Sequence, residues 1–299
     1  MILPTLRQLE FLCAIAADGS FSRAAESCNV TQPTLSSAIK ELEGLLGVQL
    51  IERESRGASL THAGEETVAR AKTILSGAAD LVSAARQAGE PLTGPFRLGA
   101  IPTIAPFLLP GMLEGLRKAH PNLRLYLRED QTERLIDDIR ARKLDAGIVA
   151  LPWDAPGIQT QALTDDEFVL VAPPRHHLMT QSTLRAADLI EQDVLLLEDG
   201  HCLREHALSV CNLPSKRNGA DVTATSLATL VHMVAGGLGV SLLPRIAVEG
   251  GVTQGVDVAL REFDDPLVGR QIGIAWRAGS PRAAEARMIG QIALETLTA

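Results

Sequence analysis

Cysteine is sparse, with four in 299 residues. That is too few for a disulfide scaffold, and in a reducing compartment a cysteine pair points to catalysis or sensing. Long apolar runs are missing too. No stretch approaches the eighteen or so residues a membrane span needs. The segment Phe11–Ala17 is apolar, but Glu10 precedes it, Asp18 follows it, and only Arg7 lies upstream as a basic residue, which is not a signal-peptide pattern. A cytoplasmic protein with no membrane partner is expected. An excess of positive charge is also absent. The net charge is −8 and the pI about 5.4, so the chain does not coat nucleic acid through bulk charge, although a small DNA-reading module stays open.

Metal and nucleotide patterns are missing as well. His176, His177, His201, Cys202, His206 and Cys211 are ligand types, but no Cys-x-x-Cys or His-x-x-x-His pair occurs. Gly236-Gly237-Leu238-Gly239 follows an expected helix and precedes an expected strand, the reverse of the dinucleotide order. Neither a metal nor a cofactor is expected.

What is present falls into segments. Residues 1–60 read as a helical unit with a hairpin. Leu6, Leu9, Phe11, Leu12 and Ile15 give the apolar face of a first helix over Thr5–Ala17. Ser20 precedes a short helix, and Asn29-Val30 is a tight turn. Thr31 opens a third helix with Pro33 in its first turn, where a missing N–H costs nothing. Leu35, Ile39, Leu42 and Leu46 form its buried face. This is helix-turn-helix spacing, and the runs Gln49–Arg53 and Ala58–Leu60 flank a wing. Thr61 opens a long helix over 61–89 in which Val68, Ala71, Leu75, Ala78, Val82 and Ala85 step by three and four, a seam that predicts pairing with a second helix. Residues 90–95 read as a hinge.

From Phe96 strands alternate with helices, which predicts an α/β unit over 96–299 with a mostly parallel sheet. Strands are expected at Arg97–Ile101, Leu123–Arg128, Ala146–Leu151, Phe168–Ala172, Val194–Leu197, Val240–Leu243 and Gln271–Trp276. Helices are expected at Ala105–His120, Thr132–Lys143, Leu184–Leu189, Cys202–Val210, Leu227–Ala235 and Pro281–Leu297. The set divides into two lobes with a cleft between them, where α/β proteins bind ligands.

The chemistry concentrates in His201-Cys202-Leu203-Arg204-Glu205-His206, with Cys211 nine positions beyond Cys202. His201, Arg204 and His206 can stabilise a thiolate or donate to an oxyanion. In a helix of about 1.5 Å rise per residue the two cysteines stand roughly 13 Å apart, whereas a disulfide needs about 7 Å or less. The pair joins only if the segment refolds. Cys13 and Cys28 lie among apolar helical residues and read as small buried hydrophobes. Thr103 and Thr132 stand at strand-to-helix junctions, where a threonine can cap a helix or turn its hydroxyl to the cleft.

The N-terminal residues Ser20-Phe21-Ser22-Arg23-Ala24-Ala25-Glu26, Thr31-Gln32-Pro33-Thr34-Leu35-Ser36, Leu42-Glu43, Gly47-Val48, Glu52-Arg53 and Ala63-Gly64 resemble the helix-turn-helix of LysR-type transcriptional regulators. Further on, Ile101-Pro102-Thr103, Gln131-Thr132, Leu197 to Arg204, Ala224-Thr225-Ser226-Leu227 and Leu242-Leu243-Pro244 are similar to the peroxide-sensing OxyR group of that family. The resemblance implies a winged helix-turn-helix, a dimerising linker helix and a two-lobed regulatory domain like periplasmic binding proteins. It implies a homodimer or homotetramer on promoter DNA in contact with RNA polymerase, and no enzyme activity. It further implies that Cys202 is the peroxidatic cysteine and Cys211 the resolving one, with Thr103, Thr132, His201 and Arg204 around hydrogen peroxide. A small metabolite in the cleft is the alternative effector, and a thiol peroxidase the alternative of another class; the latter leaves residues 1–90 unused.

For DNA contacts the helix beginning at Thr31 offers Thr31, Gln32, Pro33, Thr34, Ser36, Ser37 and Lys40, with Arg53 and Arg56 from the wing. Residues 1–60 hold five basic and seven acidic side chains, a net −2 where a basic patch is the usual footprint. Binding is therefore expected to rest on several subunits acting together.

Overall fold

The structure, a computed structural model, describes residues 3–54, 57–86, 91–211, 223–266 and 268–298. The chain separates into two compact units, Met1–Gly89 and Glu90–Ala299.

The first unit opens with α1 (Leu6–Asp18), α2 (Phe21–Ser27) and α3 (Gln32–Leu46). A capping box starts α1. Thr5 Oγ1 accepts from the Gln8 amide, and Gln8 Oε1 accepts from the Thr5 amide. Leu9, Leu12, Ile15, Ala24, Ala25, Leu35, Ile39 and Leu42 make the core. Leu6 and Leu46, expected on buried faces, are exposed. They are the first residue of α1 and the last of α3, beyond the turns that neighbouring helices cover. Ser20 and Thr31 occupy N-cap positions without a side-chain cap bond; Thr31 Oγ1 pairs instead with Thr34 Oγ1 at 2.8 Å.

A hairpin follows, β1 (Ile51–Glu54) antiparallel to β2 (Gly57–Leu60). Glu43 holds it to α3, accepting from the Leu50 and Ile51 amides at 2.8 and 3.2 Å. Thr61 caps α4 (His62–Arg86) through the Gly64 amide. Gly64 has no alternative, since a Cβ there would collide with the Leu50 carbonyl. The seam along α4 divides in two. Val68 and Ala71 are buried in the unit's own core and Leu75 packs against it, contrary to a seam reserved for a partner. Farther along, Val82 of the seam and its neighbour Leu81 are 48% and 72% exposed. The first half packs on α1 because that helix leaves an apolar face uncovered, while the second half projects past it.

The second unit begins with β3 (Gly94–Ala100), α5 (Ala105–Ala119), β4 (Leu123–Glu129), α6 (Thr132–Arg140) and β5 (Ala146–Leu151). Strand β3 is parallel to both β4 and β5. Next come β6 (Ile158–Ala172), α7 (Cys202–Val210), α8 (Leu227–Ala235), β7 (Ser241–Pro244), α9 (Arg245–Glu249), β8 (Ala259–Glu262), β9 (Gly269–Arg277) and α10 (Ala283–Leu297). The sheet order is β4-β3-β5-β9-β6-β7, with β8 on β6. All pairings of named strands beyond β5 are antiparallel, so among these strands the parallel arrangement expected from the alternation holds only for β4, β3 and β5; the isolated bridges Val194–Val240 and Leu197–Ala224 are parallel. The reason lies in β6 and β9. The chain leaves the first lobe along β6, builds the second lobe, and returns along β9, so the two strands run in opposite directions.

Strand β6 serves both lobes. Its residues 158–167 pair with β9, and 168–172 pair with β7 and β8. Each lobe has its own core. One is built around Phe96, Leu98, Leu135, Ile148, Ile274 and Ile289; the other around Phe168, Leu170, Leu195, Val231, Val240 and Leu242. The expected strand Val194–Leu197 forms only two isolated bridges, to Val240 and Ala224. The expected helix Leu184–Leu189 is a single 3₁₀ turn, Ala186–Leu189. The polar loop expected at 212–219 lies outside the described residues. Among the described residues no helix is long and apolar enough to cross a membrane.

Candidate redox site between the two lobes

Helix α7 carries both cysteines of interest. Cys202 is its first residue, after His201 at the N-cap, and Cys211 is its C-cap. Both are free thiols and buried. The helix faces different surroundings on its two sides. Cys202 packs into the core of the first lobe, whereas Leu203, Ala207 and Cys211, stepping by four, enter the core of the second. Nine helical positions put their Cα atoms roughly 13 Å apart along the helix.

Their electrostatic settings differ. Cys202 stands at a helix N-terminus, where unpaired N–H groups favour negative charge. Burial, with Asp265 adding a smaller push, raises the Cys211 thiol to about 11. Cys211 is therefore protonated at neutral pH and a poor nucleophile.

Thr132 is the first residue of α6 and Thr103 lies in the turn after β3; neither is an N-cap. Both are buried. The Thr132 hydroxyl has no hydrogen-bond partner, an arrangement that costs energy in a folded core. Thr103 Oγ1 accepts from Arg270 Nη1 at 2.7 Å, and Thr103 O accepts from Arg270 Nη2 at 3.2 Å. Arg270 Nε donates to Asp166 at 2.9 Å. Arg270 is fully buried, so this ion pair holds a fixed cation at the base of the crossing strands.

The loop before α7 approaches the first lobe at Gly200. Its φ is +92°, and a Cβ there would lie 2.8 Å from the Gln131 side chain. The left-handed conformation favours glycine there, and Gln131 is the N-cap of the helix that begins at Thr132. His201 is buried, with Nε2 3.8 Å from Glu198. Arg204 is occupied at the rim, donating to Asp199 at 2.9 Å and to the Leu197 carbonyl at 3.4 Å. His206 lies one turn past Cys202. Burial, and secondarily the charge of Arg270, holds it below the ordinary histidine range, and its Nδ1 has no partner.

Arg270 and Asp166 escape a reading of the sequence. They lie far apart along the chain, and an arginine opening a strand beside an acidic Asp165-Asp166-Glu167 run looks like surface charge. Among the described residues no three metal-ligating side chains cluster.

In the first unit Thr31, Gln32, Pro33, Thr34, Ser37 and Lys40 are exposed and Ser36 is half-buried, on the side of α3 away from Leu35, Ile39 and Leu42. Arg53 sits in β1 opposite Ala58. Arg56 and the Arg53 side chain lie outside the described residues.

Two family descriptions match this arrangement. The bacterial regulatory helix-turn-helix protein of the lysR family covers residues 6–65, and the LysR substrate binding domain covers residues 89–297. The chain belongs to the LysR family of bacterial helix-turn-helix regulators. Within that family it is 42% identical over 283 residues to a probable hydrogen peroxide-inducible genes activator of Streptomyces viridosporus, covering 94% of this chain and 91% of the relative. A full-length OxyR variant of Pseudomonas aeruginosa superposes with a TM-score of 0.77 at 35% identity, over 98% of this chain and 95% of that one. A hydrogen peroxide-bound OxyR mutant of Corynebacterium glutamicum superposes with a TM-score of 0.68 at 36% identity, over 99% of this chain and 94% of that one.

Proposed function

We propose that this chain is an OxyR-like, DNA-binding transcriptional regulator switched by hydrogen peroxide, acting in the oxidative-stress response of the cytoplasm and not as an enzyme. The observation that carries this reading is one helix with two thiols in two separate cores. Any bond between them requires the helix to unwind and the lobes to repack. Cys202 attacks one peroxide oxygen, the O–O bond breaks, and the departing oxygen leaves as water once protonated, which gives a sulfenic acid on Cys202. The Cys211 thiol then condenses with it, and a second water leaves as the Cys202–Cys211 disulfide forms.

The unpartnered Thr132 hydroxyl, and Thr103 held by Arg270, support a small polar ligand beside Cys202. Arg270 and the helix N-terminus favour the charge that develops on sulfur and on the leaving oxygen. His201 lines the same loop, and Arg204 becomes free to contribute when the loop moves. Cys211, kept protonated, does not compete for peroxide.

The output is a change in subunit arrangement on a promoter operator. The domain division follows: a winged helix-turn-helix over 1–60, a dimerising helix over 61–89, a hinge over 90–95 and the redox unit over 96–299. Val82 of the α4 seam, with its exposed neighbour Leu81, supplies the homodimer contact, and two dimers form a tetramer that engages RNA polymerase. Thr31, Gln32, Pro33, Thr34, Ser36, Ser37 and Lys40 read double-stranded DNA, with Arg53 and Arg56 on its backbone.

The test is mass spectrometry of the cysteines after stoichiometric peroxide, alongside DNA footprinting. A Cys202–Cys211 bond with an altered footprint is expected. Unchanged thiols and an unchanged footprint would end the peroxide reading, and continuous peroxide turnover with thioredoxin would make the protein a peroxidase.

A further inference from the structure

Two observations single out His206. It lies four residues after Cys202 on α7, so both side chains project from one face of the helix. Its Nδ1 is buried with no partner, and the charge of Arg270, the residue that holds Thr103, bears on it. A buried imidazole nitrogen left unpaired is costly, unless it serves a group that comes and goes.

We infer that His206 is the proton shuttle of the peroxide reaction: it takes the proton from the Cys202 thiol and returns it to the departing oxygen. This rests on the peroxide reading above. The S–H bond of Cys202 breaks toward a His206 ring nitrogen as sulfur bonds to the nearer peroxide oxygen. The O–O bond breaks, its electron pair goes to the far oxygen, and that oxygen takes the proton from His206. Thiol and hydrogen peroxide become sulfenic acid and water, and His206 ends neutral as it began.

The surroundings suit transfer and oppose storage. Arg270, from β9, bears on His206, and Asp166 of β6 pairs with Arg270 from behind. Glu205, the adjacent acid on α7, is exposed. The charge that bears on His206 is a cation, which discourages a resting imidazolium and drives the proton onward. Burial has the same effect, so His206 is the free base at neutral pH. General acid–base assistance of this kind is worth about 100-fold or more.

The full-length protein with Cys211→Ser, in which the sulfenic acid persists, is treated with hydrogen peroxide, and Cys202 is trapped with dimedone across a pH series. Adding His206→Gln should slow trapping about 100-fold at pH 7. The parent should lose rate as pH falls below the ordinary histidine value of 6.5, and the Gln variant should lack that limb. His206→Ala should be rescued by added imidazole, a response that a purely structural role would not give. If His206→Gln matches the parent in rate and pH profile, or if it is slow but keeps the acidic limb while imidazole fails to rescue the Ala variant, the shuttle is wrong and the peroxide reading stands. If the parent itself is not labelled, the peroxide reading fails.

Discussion

Cys211 shows how far one side chain's setting can differ from its twin's. Its thiol is pushed up to about 11 from an ordinary 9.0, chiefly by burial. A raised value in the folded state contributes stability below the unfolded value and loses it as pH rises. The reduced protein should therefore lose about 2 kcal/mol between pH 9 and pH 11 on this account. Urea melts across that range should show a shallower alkaline decline in Cys211→Ser. Thr132 gives the opposite kind of test. Its hydroxyl is buried and unpartnered, so Thr132→Val removes an unsatisfied group while keeping shape. Stability should hold or rise by about 1 kcal/mol, while dimedone trapping at Cys202 slows. A large drop in melting temperature would mean that the hydroxyl has a structural partner.

At the scale of elements, α4 changes surroundings along its length. Val68 and Ala71 complete the core of the first unit, and farther along Leu81 and Val82 are left to solvent. Val68→Ala should cost about 2 kcal/mol in the melt of the first unit by opening a cavity. Leu81→Ala should leave that melt within about 0.5 kcal/mol and weaken self-association, read by sedimentation. If both variants dimerise like the parent, the exposed half of the seam is not the interface. Helix α7 likewise has two faces, and the period of its apolar positions shows only one of them. Leu203, Ala207 and Cys211 are legible as a buried stripe. Cys202 and His206 belong to the other face, whose burial comes from the opposite lobe.

For the whole molecule, the Thr103–Arg270–Asp166 link ties together the first lobe and both crossing strands. Arg270→Ala strands Asp166 as a buried charge and should destabilise the second unit by about 3–5 kcal/mol. The double variant Asp166→Leu, Arg270→Met should recover much of that stability in thermal melts and still react slowly with peroxide. Full recovery of the reaction in the double variant would show that the cation has no part in the chemistry.

Local chemistry was enough to set the helices of the first unit, the strand β5, and helices α7 and α8 with a cysteine at each end of α7. Capping residues, apolar periods of 3.6 and 2, and spacing act over a few neighbours, so they are visible in the chain itself. What the tertiary structure decided is everything that depends on distant segments meeting. The strands β6 and β9 run through polar stretches such as Gln159–Gln161 and Thr164–Glu167, and only their pairing makes them strands. Arg270 becomes a buried cation because Asp166 and Thr103 come to it. The two thiols acquire separate fates because one helix is shared between two cores, and no local pattern records which core each face will enter.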